Sequence, residues 1–151
     1  MRVAIGSDHA GFALKGELCT ILDELRVEYR DFGAFGTEPV DYPDLIAPVA
    51  RAVANGEFEL GVVLGGSGTG EAIVANKVRG IRCVEAADPV TARLGREHND
   101  ANVLAMGARI VGTEIARECL RAFLEARFAG GRHVARVAKI ADIEAQEAAG
   151  A

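Results

Sequence analysis

The sequence predicts an α/β domain built on a five-stranded parallel sheet, and three observations carry that expectation. Short apolar runs alternate five times with segments of helical periodicity, the pattern of strands joined by crossover helices. The helices carry start and stop signals where the periodicity changes, among them Asp88-Pro89 and Asn55-Gly56. At 151 residues, 50% of them apolar and only 5% aromatic, the chain can bury one core of mostly Ala, Val, Leu and Ile. No composition shift, repeat or low-complexity segment divides it, so residues 1–151 read as a single domain.

The elements follow in order. Arg2-Val3-Ala4-Ile5-Gly6 reads as a strand that runs into the turn Ser7-Asp8-His9-Ala10-Gly11. Leu14, Leu18, Ile21, Leu22 and Leu25 then recur at helical spacing. Val27 to Phe32 is the second strand, and the loop from Gly33 to Pro39 leads to a helix start at Asp41-Tyr42-Pro43. Ile46, Val49, Ala50 and Val53 mark that helix. The third strand is Leu60 to Leu64, followed by GGSGTGEAIVANK and a helix that Gly80 closes. Ile81 to Val84 is the fourth strand, and the helix begun at Asp88-Pro89 runs to about Asn99. Val103 to Met106 is the fifth strand, ending at Gly107. A long amphipathic helix is predicted from Thr113 to Ala129, where Gly130-Gly131 breaks it. The last helix, Val134 to about Ala148, puts Val137, Ile140 and Ile143 on one face but has no strand of its own to cover. That leaves its face for another subunit.

Composition excludes several classes. The net charge is -5 and no basic block supplies a phosphate-backbone footprint, so no nucleic acid is expected as a partner. No apolar run reaches the roughly 18 residues that a membrane span needs, and the first eight residues do not read as a secretory start. Cys19, Cys83 and Cys119 are scattered and form no CxxC pair. They read as small buried hydrophobes in a reducing cytoplasm and not as a disulfide or zinc framework.

In such sheets ligands bind beyond the carboxyl ends of the strands. That edge collects Asp8 and His9 after strand one, Gly65 to Glu71 after strand three, Glu85 and Asp88 after strand four, and Arg109 after strand five. The glycine loop is not a P-loop, because Glu71-Ala72 stands where Lys-Ser/Thr would be. It is not a dinucleotide fingerprint either, because the third glycine comes one residue early. Amide groups at a helix N-terminus attract an anion, yet Glu71 in the first helical turn would repel a permanent one. The pairing fits an anion that forms only in transit: a base takes a proton next to a carbonyl while amides hold the developing enediolate. A second reading stands beside it, an acid placed to meet the helix dipole, worth about 0.3–1 kcal/mol.

Only three histidines occur. His98 follows Val90 and Leu94 at four-residue steps, so the simpler reading is a satisfied core histidine. The polar run Arg96-Glu97-His98-Asn99-Asp100 around it fits an acid/base instead. Arg132 and Arg136, four apart and flanking His133, read either as a solvated face or as a phosphate clamp.

The segments GSDHAGF, DYP, GGSGTGEAIVANK, REHNDANVLAMGAR and GGRHVARV, in this order, resemble the ribose-5-phosphate isomerase B family, which includes galactose- and allose-6-phosphate isomerases. The resemblance runs from Arg2 to about Ile143. It implies a three-layer αβα sandwich of flavodoxin or Rossmann type with an extra C-terminal helix. It also implies a homodimer, or a dimer of dimers, with shared sites, and reversible aldose–ketose isomerisation of a sugar phosphate without metal or nucleotide cofactor. By motif position it assigns ring opening to His98 with Asp8, and proton transfer between C1 and C2 to Glu71. Enediolate binding falls to the amides of Gly66, Gly68, Thr69 and Gly70 with Ser67. Phosphate binding falls to His9, Arg109, Arg132 and Arg136, and sugar contacts to Tyr42 and Asn99. Many members carry a cysteine base where this chain has Gly65, and threonine in place of Ser67. This chain resembles the branch that uses the glutamate.

Ribose 5-phosphate is the expected substrate, with a tetrose phosphate or a hexose 6-phosphate as the alternatives. A phosphate- or nucleotide-sensing module on the same sheet is the competing class. A receiver of that kind wants an acidic acceptor after strand three and a lysine after strand five, where this chain has Gly65-Gly66 and Gly107-Ala108-Arg109.

Overall fold

The structure is a computed structural model, and it describes residues 1–150. Five strands, β1 (Arg2–Ser7), β2 (Glu28–Asp31), β3 (Leu60–Gly65), β4 (Cys83–Glu85) and β5 (Val103–Gly107), pair in parallel in the order β2-β1-β3-β5-β4. The helices are α1 (Phe12–Glu24), α2 (Tyr42–Ala54), α3 (Thr69–Asn76), α4 (Pro89–Asn99), α5 (Thr113–Glu125) and α6 (Arg132–Ala149). Compared with the flavodoxin order 2-1-3-4-5, the last two strands are exchanged.

The topology dictates the layers. Right-handed crossovers place helices on opposite faces according to the direction in which the chain moves across the sheet. α1, α4 and α5 cover one face over Ile5, Leu18, Leu64, Leu104, Leu120 and Phe123. α2 and α3 cover the other over Ala4, Ile46, Val49, Val63 and Ala105. β3 and β5 are buried along their whole length, as central strands covered on both faces must be.

The capping signal of α4 acts as expected, and three helix ends shift. The Asp88 carboxylate accepts the Thr91 N–H at 2.8 Å and its hydroxyl at 2.6 Å, and Pro89 occupies the first turn of α4. α3 stops at Asn76, four residues before Gly80, with Lys77 as its C-cap. α5 stops at Glu125 and not at Ala129. The Arg127 guanidinium donates to the carbonyls of Leu124, Glu125 and Ala126, and Ala126 is already extended. α6 starts two residues early, at Arg132, directly after Gly130 and Gly131 at φ 64° and 55°. No residue of α6 is buried, and Val134, Ile140 and Ile143 are exposed along it. Among the described residues no helix is long and apolar enough to cross a membrane.

Candidate active site

The chain leaves β1 and β5 toward the α1/α4/α5 face but leaves β3 toward α2 and α3. The loops therefore part over the carboxyl end of β3, the crevice in which open α/β sheets bind ligands. Gly65 to Gly68 lies at its centre, fixed from both sides. Asp8 N–H donates to Leu64 O at 3.0 Å; Ala108 N–H donates to Gly65 O at 2.8 Å and Arg109 N–H to Gly66 O at 2.9 Å. With the carbonyls held, the amides are left over. Among the described residues, the N–H groups of Gly66, Ser67 and Gly70 have no acceptor within the protein. Gly68 caps α3 at φ 85°, and a Cβ there would lie 2.7 Å from the Met106 carbonyl carbon. Only glycine allows both that conformation and that approach.

Glu71 stands in the first turn of α3 and is 3% exposed. Burial pushes its carboxyl above the ordinary glutamate range, and the nearby Asp8 and Glu85 carboxylates push the same way; the N–H groups of Glu71 itself and of Gly68 partly oppose them. The carboxylate therefore takes up a proton more readily than that of a surface glutamate, which suits a general base. A Cβ on Gly65 would fall on the Glu71 carboxylate, so the bare glycine is what admits this side chain to the crevice.

Around this pair stand the other residues of the carboxyl edge. Asp8, itself buried, accepts the Gly11 N–H at 2.8 Å and so closes the turn that precedes α1. His9 Nδ1 accepts the Val40 N–H at 3.2 Å, so its neutral form carries the proton on Nε2. The Tyr42 ring lies against Gly70, 2.9 Å from where a Cβ would stand. Arg109 Nη1 lies 3.3 Å from the same point on Gly66. Thr69 Oγ1 donates to Glu85 Oε1 at 3.1 Å.

The remaining predicted residues are elsewhere. α4 begins at the carboxyl edge and, as a crossover, ends at the amino edge, where Arg82 donates to the Asn99 and Asp100 carbonyls at 2.9 and 2.8 Å. Arg96 adds a bond to Asp100 Oδ1 at 2.9 Å, and Asp100 ends the helix at φ 47°. His98 and Asn99 are thus at the opposite edge of the sheet from the glycine loop. His98 is half-buried and does not sit in the core; its ring stacks on His133 with centroids 4.4 Å apart and 11° between planes. The Ala129 N–H, bonded to Glu97 O at 2.9 Å, brings the start of α6 alongside, with Arg132 and Arg136 exposed beside the stack. Burial, then His98, Arg132 and Arg136, lowers the His133 pKa and keeps that ring neutral to lower pH. The expected site residues thus fall into two groups on one chain: Asp8, His9, Tyr42, Gly66 to Glu71 and Arg109 at one edge, and His98, Asn99, Arg132 and Arg136 at the other.

Sequence reasoning missed Lys15, 1% exposed, whose ammonium lies 2.6 Å from Asp31 Oδ1 and donates to the Ala34 carbonyl at 2.5 Å. The available signal was a lysine within the Leu14–Leu22 apolar stripe.

A family profile described as Ribose/Galactose Isomerase matches residues 3–140. The ribose-5-phosphate isomerase B of Escherichia coli is 47% identical over 143 residues, covering 95% of this chain and 96% of that protein. The D-erythrulose-4-phosphate isomerase of Pectobacterium atrosepticum is 38% identical, covering 97% of each. The solved structure of Clostridium thermocellum ribose-5-phosphate isomerase B superposes with a TM-score of 0.96 at 48% identity, covering 97% of this chain and 99% of that one. The chain belongs to the ribose/galactose isomerase family.

Proposed function

We propose that this protein interconverts ribose 5-phosphate and ribulose 5-phosphate by proton transfer through an enediolate, with Glu71 as the base. The observation that carries this reading is the buried Glu71 carboxylate beside the unpaired amides of Gly66, Ser67 and Gly70. Glu71 takes the C2 hydrogen of the open-chain aldose and returns it to C1. The amides and the Ser67 hydroxyl stabilise the negative oxygen that forms in between. Thr69 and Gly70 form the edge of that cradle, and Tyr42 closes it over the sugar.

The proposed reaction also needs ring opening and a phosphate clamp, and one chain separates these from the base. The reading is a homodimer in which His98 of the partner subunit, assisted by Asp8, opens the furanose ring. Asn99 of the partner subunit meets the sugar hydroxyls. His9 and Arg109 share the phosphate with Arg132 of the partner subunit and Arg136 of the partner subunit. The apolar face of α6 supports a second copy, since Ile140 and Ile143 are 45% and 60% exposed on a helix with no buried residue and border an open cleft beside Ile81 and Cys83. A closed two-fold places the same patch on both copies and so completes two sites at once. Three free cysteines fit a cytoplasmic enzyme.

Purified protein with ribose 5-phosphate and EDTA is expected to generate ketose absorbance, and more efficiently than with a tetrose 4-phosphate or hexose 6-phosphate. Glu71→Gln is expected to bind substrate but to lose exchange of the C2 hydrogen with D₂O. Exchange at the wild-type rate in that variant would move the base to another residue.

A further inference from the structure

We propose that Lys15 is a positioning residue for the sugar: its buried ammonium fixes the segment from Gly33 to Val40, and the placement of that segment selects the length of sugar that fits. This rests on the isomerase reading above and assigns a determinant of its specificity.

Lys15 emerges from α1 into the core side of the β2–α2 connection. Its Nζ reaches Asp31 Oδ1 and the Ala34 carbonyl and faces the Phe35 ring at 5.0 Å and the Phe12 ring at 5.7 Å. Asp31 Oδ1 also accepts the Gly33 N–H at 2.8 Å, so one ion pair holds two successive residues of the segment. Ser7, the residue before Asp8, exchanges two backbone hydrogen bonds with Gly33 and Ala34, each 2.6 Å. The near end of the segment is thereby locked to the strand that delivers Asp8 and His9.

The far end meets the site directly. Val40 N–H holds His9 Nδ1, and two residues on, Tyr42 leans on Gly70. Between the two ends there is little support. A cavity of about 350 Å³ lies against Gly33, Phe35, Glu38, Val40 and Leu45, and Phe35 is 76% exposed. A segment with an open groove beside it is positioned by its ends, and at the near end the Lys15–Asp31 pair is the side-chain contact that joins the two Ser7 backbone bonds. A buried lysine costs desolvation that an apolar residue would avoid, and its three donors give in return a fixed geometry.

Lys15→Met keeps an unbranched apolar stem, one atom shorter, and removes the charge and its donors. In the variant, KM for ribose 5-phosphate is expected to rise about tenfold, the scale of losing a hydrogen bond to a charged group, while kcat stays within about threefold. The preference for ribose 5-phosphate over erythrose 4-phosphate and allose 6-phosphate, measured as kcat/KM, is expected to flatten by about the same factor. A fall in kcat with KM and preference unchanged is what a merely structural lysine would give, and it would overturn the proposal.

Asp31→Asn tests the same pair from its more exposed member and is expected to change KM in the same direction; an unchanged KM counts against the proposal. Amide hydrogen exchange over residues 33–41 needs no turnover. Faster exchange there in Lys15→Met, with β1 and β3 unchanged, supports the proposal, and equal exchange overturns it. Wild-type protein that turns over no sugar phosphate would sink the isomerase reading alone, and the exchange experiment would still decide the role of Lys15.

Discussion

The Glu71 carboxylate fills the space that a side chain on Gly65 would take. The cysteine that the resemblance places at that position in many members of this family would put its thiol where this chain places a carboxylate, so the two groups are alternatives for one volume. Gly65→Ala is a direct test. Its backbone does not require glycine, since Gly65 is not among the positive-φ residues. The methyl group would drive Glu71 out, and kcat/KM is expected to fall at least about 10²-fold, the scale of losing a positioned base. Overpacking is expected to cost about 1–3 kcal/mol in denaturant unfolding. Full activity in a folded Gly65→Ala protein would remove Glu71 from the mechanism.

Because burial raises the pKa of Glu71, the sign of its pH dependence follows. Catalysis needs the carboxylate, so kcat/KM is expected to decline on the acid side at a pH above 4.5, the ordinary glutamate value. For stability the direction reverses. The native state binds this proton more tightly than the unfolded chain, so stability is complete below the unfolded pKa and is lost as pH rises through the native one. Glu71→Gln is therefore expected to melt higher than wild type at neutral pH, and the two melting curves are expected to converge as pH drops below 4.5. A variant that melts lower at neutral pH would mean that the ionised group is stabilised where it stands.

The carboxyl-edge half of the site was legible because strand ends and glycine turns are local signals. Asp8, His9, the 65–71 loop and Arg109 each follow a strand directly. The other half was not legible from spacing. Periodicity assigns a residue to a face of a helix but not to an end of the sheet, and His98 lies at the end of a crossover. The overlong α5 has a similar cause, since the Arg127 guanidinium competes for carbonyls that a continued helix would use. Lys15 was invisible because its partners, Asp31 and Ala34, belong to another element, and a lone lysine in an apolar stripe reads as its solvated edge.

Arg132 and Arg136 occupy the first turn and the start of the second turn of α6, one above the other and exposed. The helix N-terminus there adds its own attraction for an anion. Arg136→Ala is expected to raise KM for ribose 5-phosphate by about 10- to 100-fold, with kcat changed far less, the range for a charge-assisted bond to phosphate. Arg136→Lys is expected to recover only part of the loss, because an ammonium lacks the two-pronged geometry. Steady-state kinetics on both variants checks this, and equal KM values in wild type and Arg136→Ala would remove the residue from the clamp.

The separation of Glu71 from His98 by the depth of the sheet makes the proposed sharing of the site between two copies directly testable. Glu71→Gln and His98→Asn are each expected to be inactive toward ribose 5-phosphate, because every site in either homodimer lacks one partner. Unfolding the two proteins together and refolding them yields mixed dimers, and in each of these one site carries both changes and the other carries neither. Random pairing makes about half the dimers mixed, so about a quarter of wild-type activity is expected to return. A single chain that bent His98 onto its own Glu71 would behave differently: no mixture would recover anything, since no chain would hold both groups. The recovered fraction, followed against the mixing ratio, therefore separates a site built between two copies from one built within a single copy.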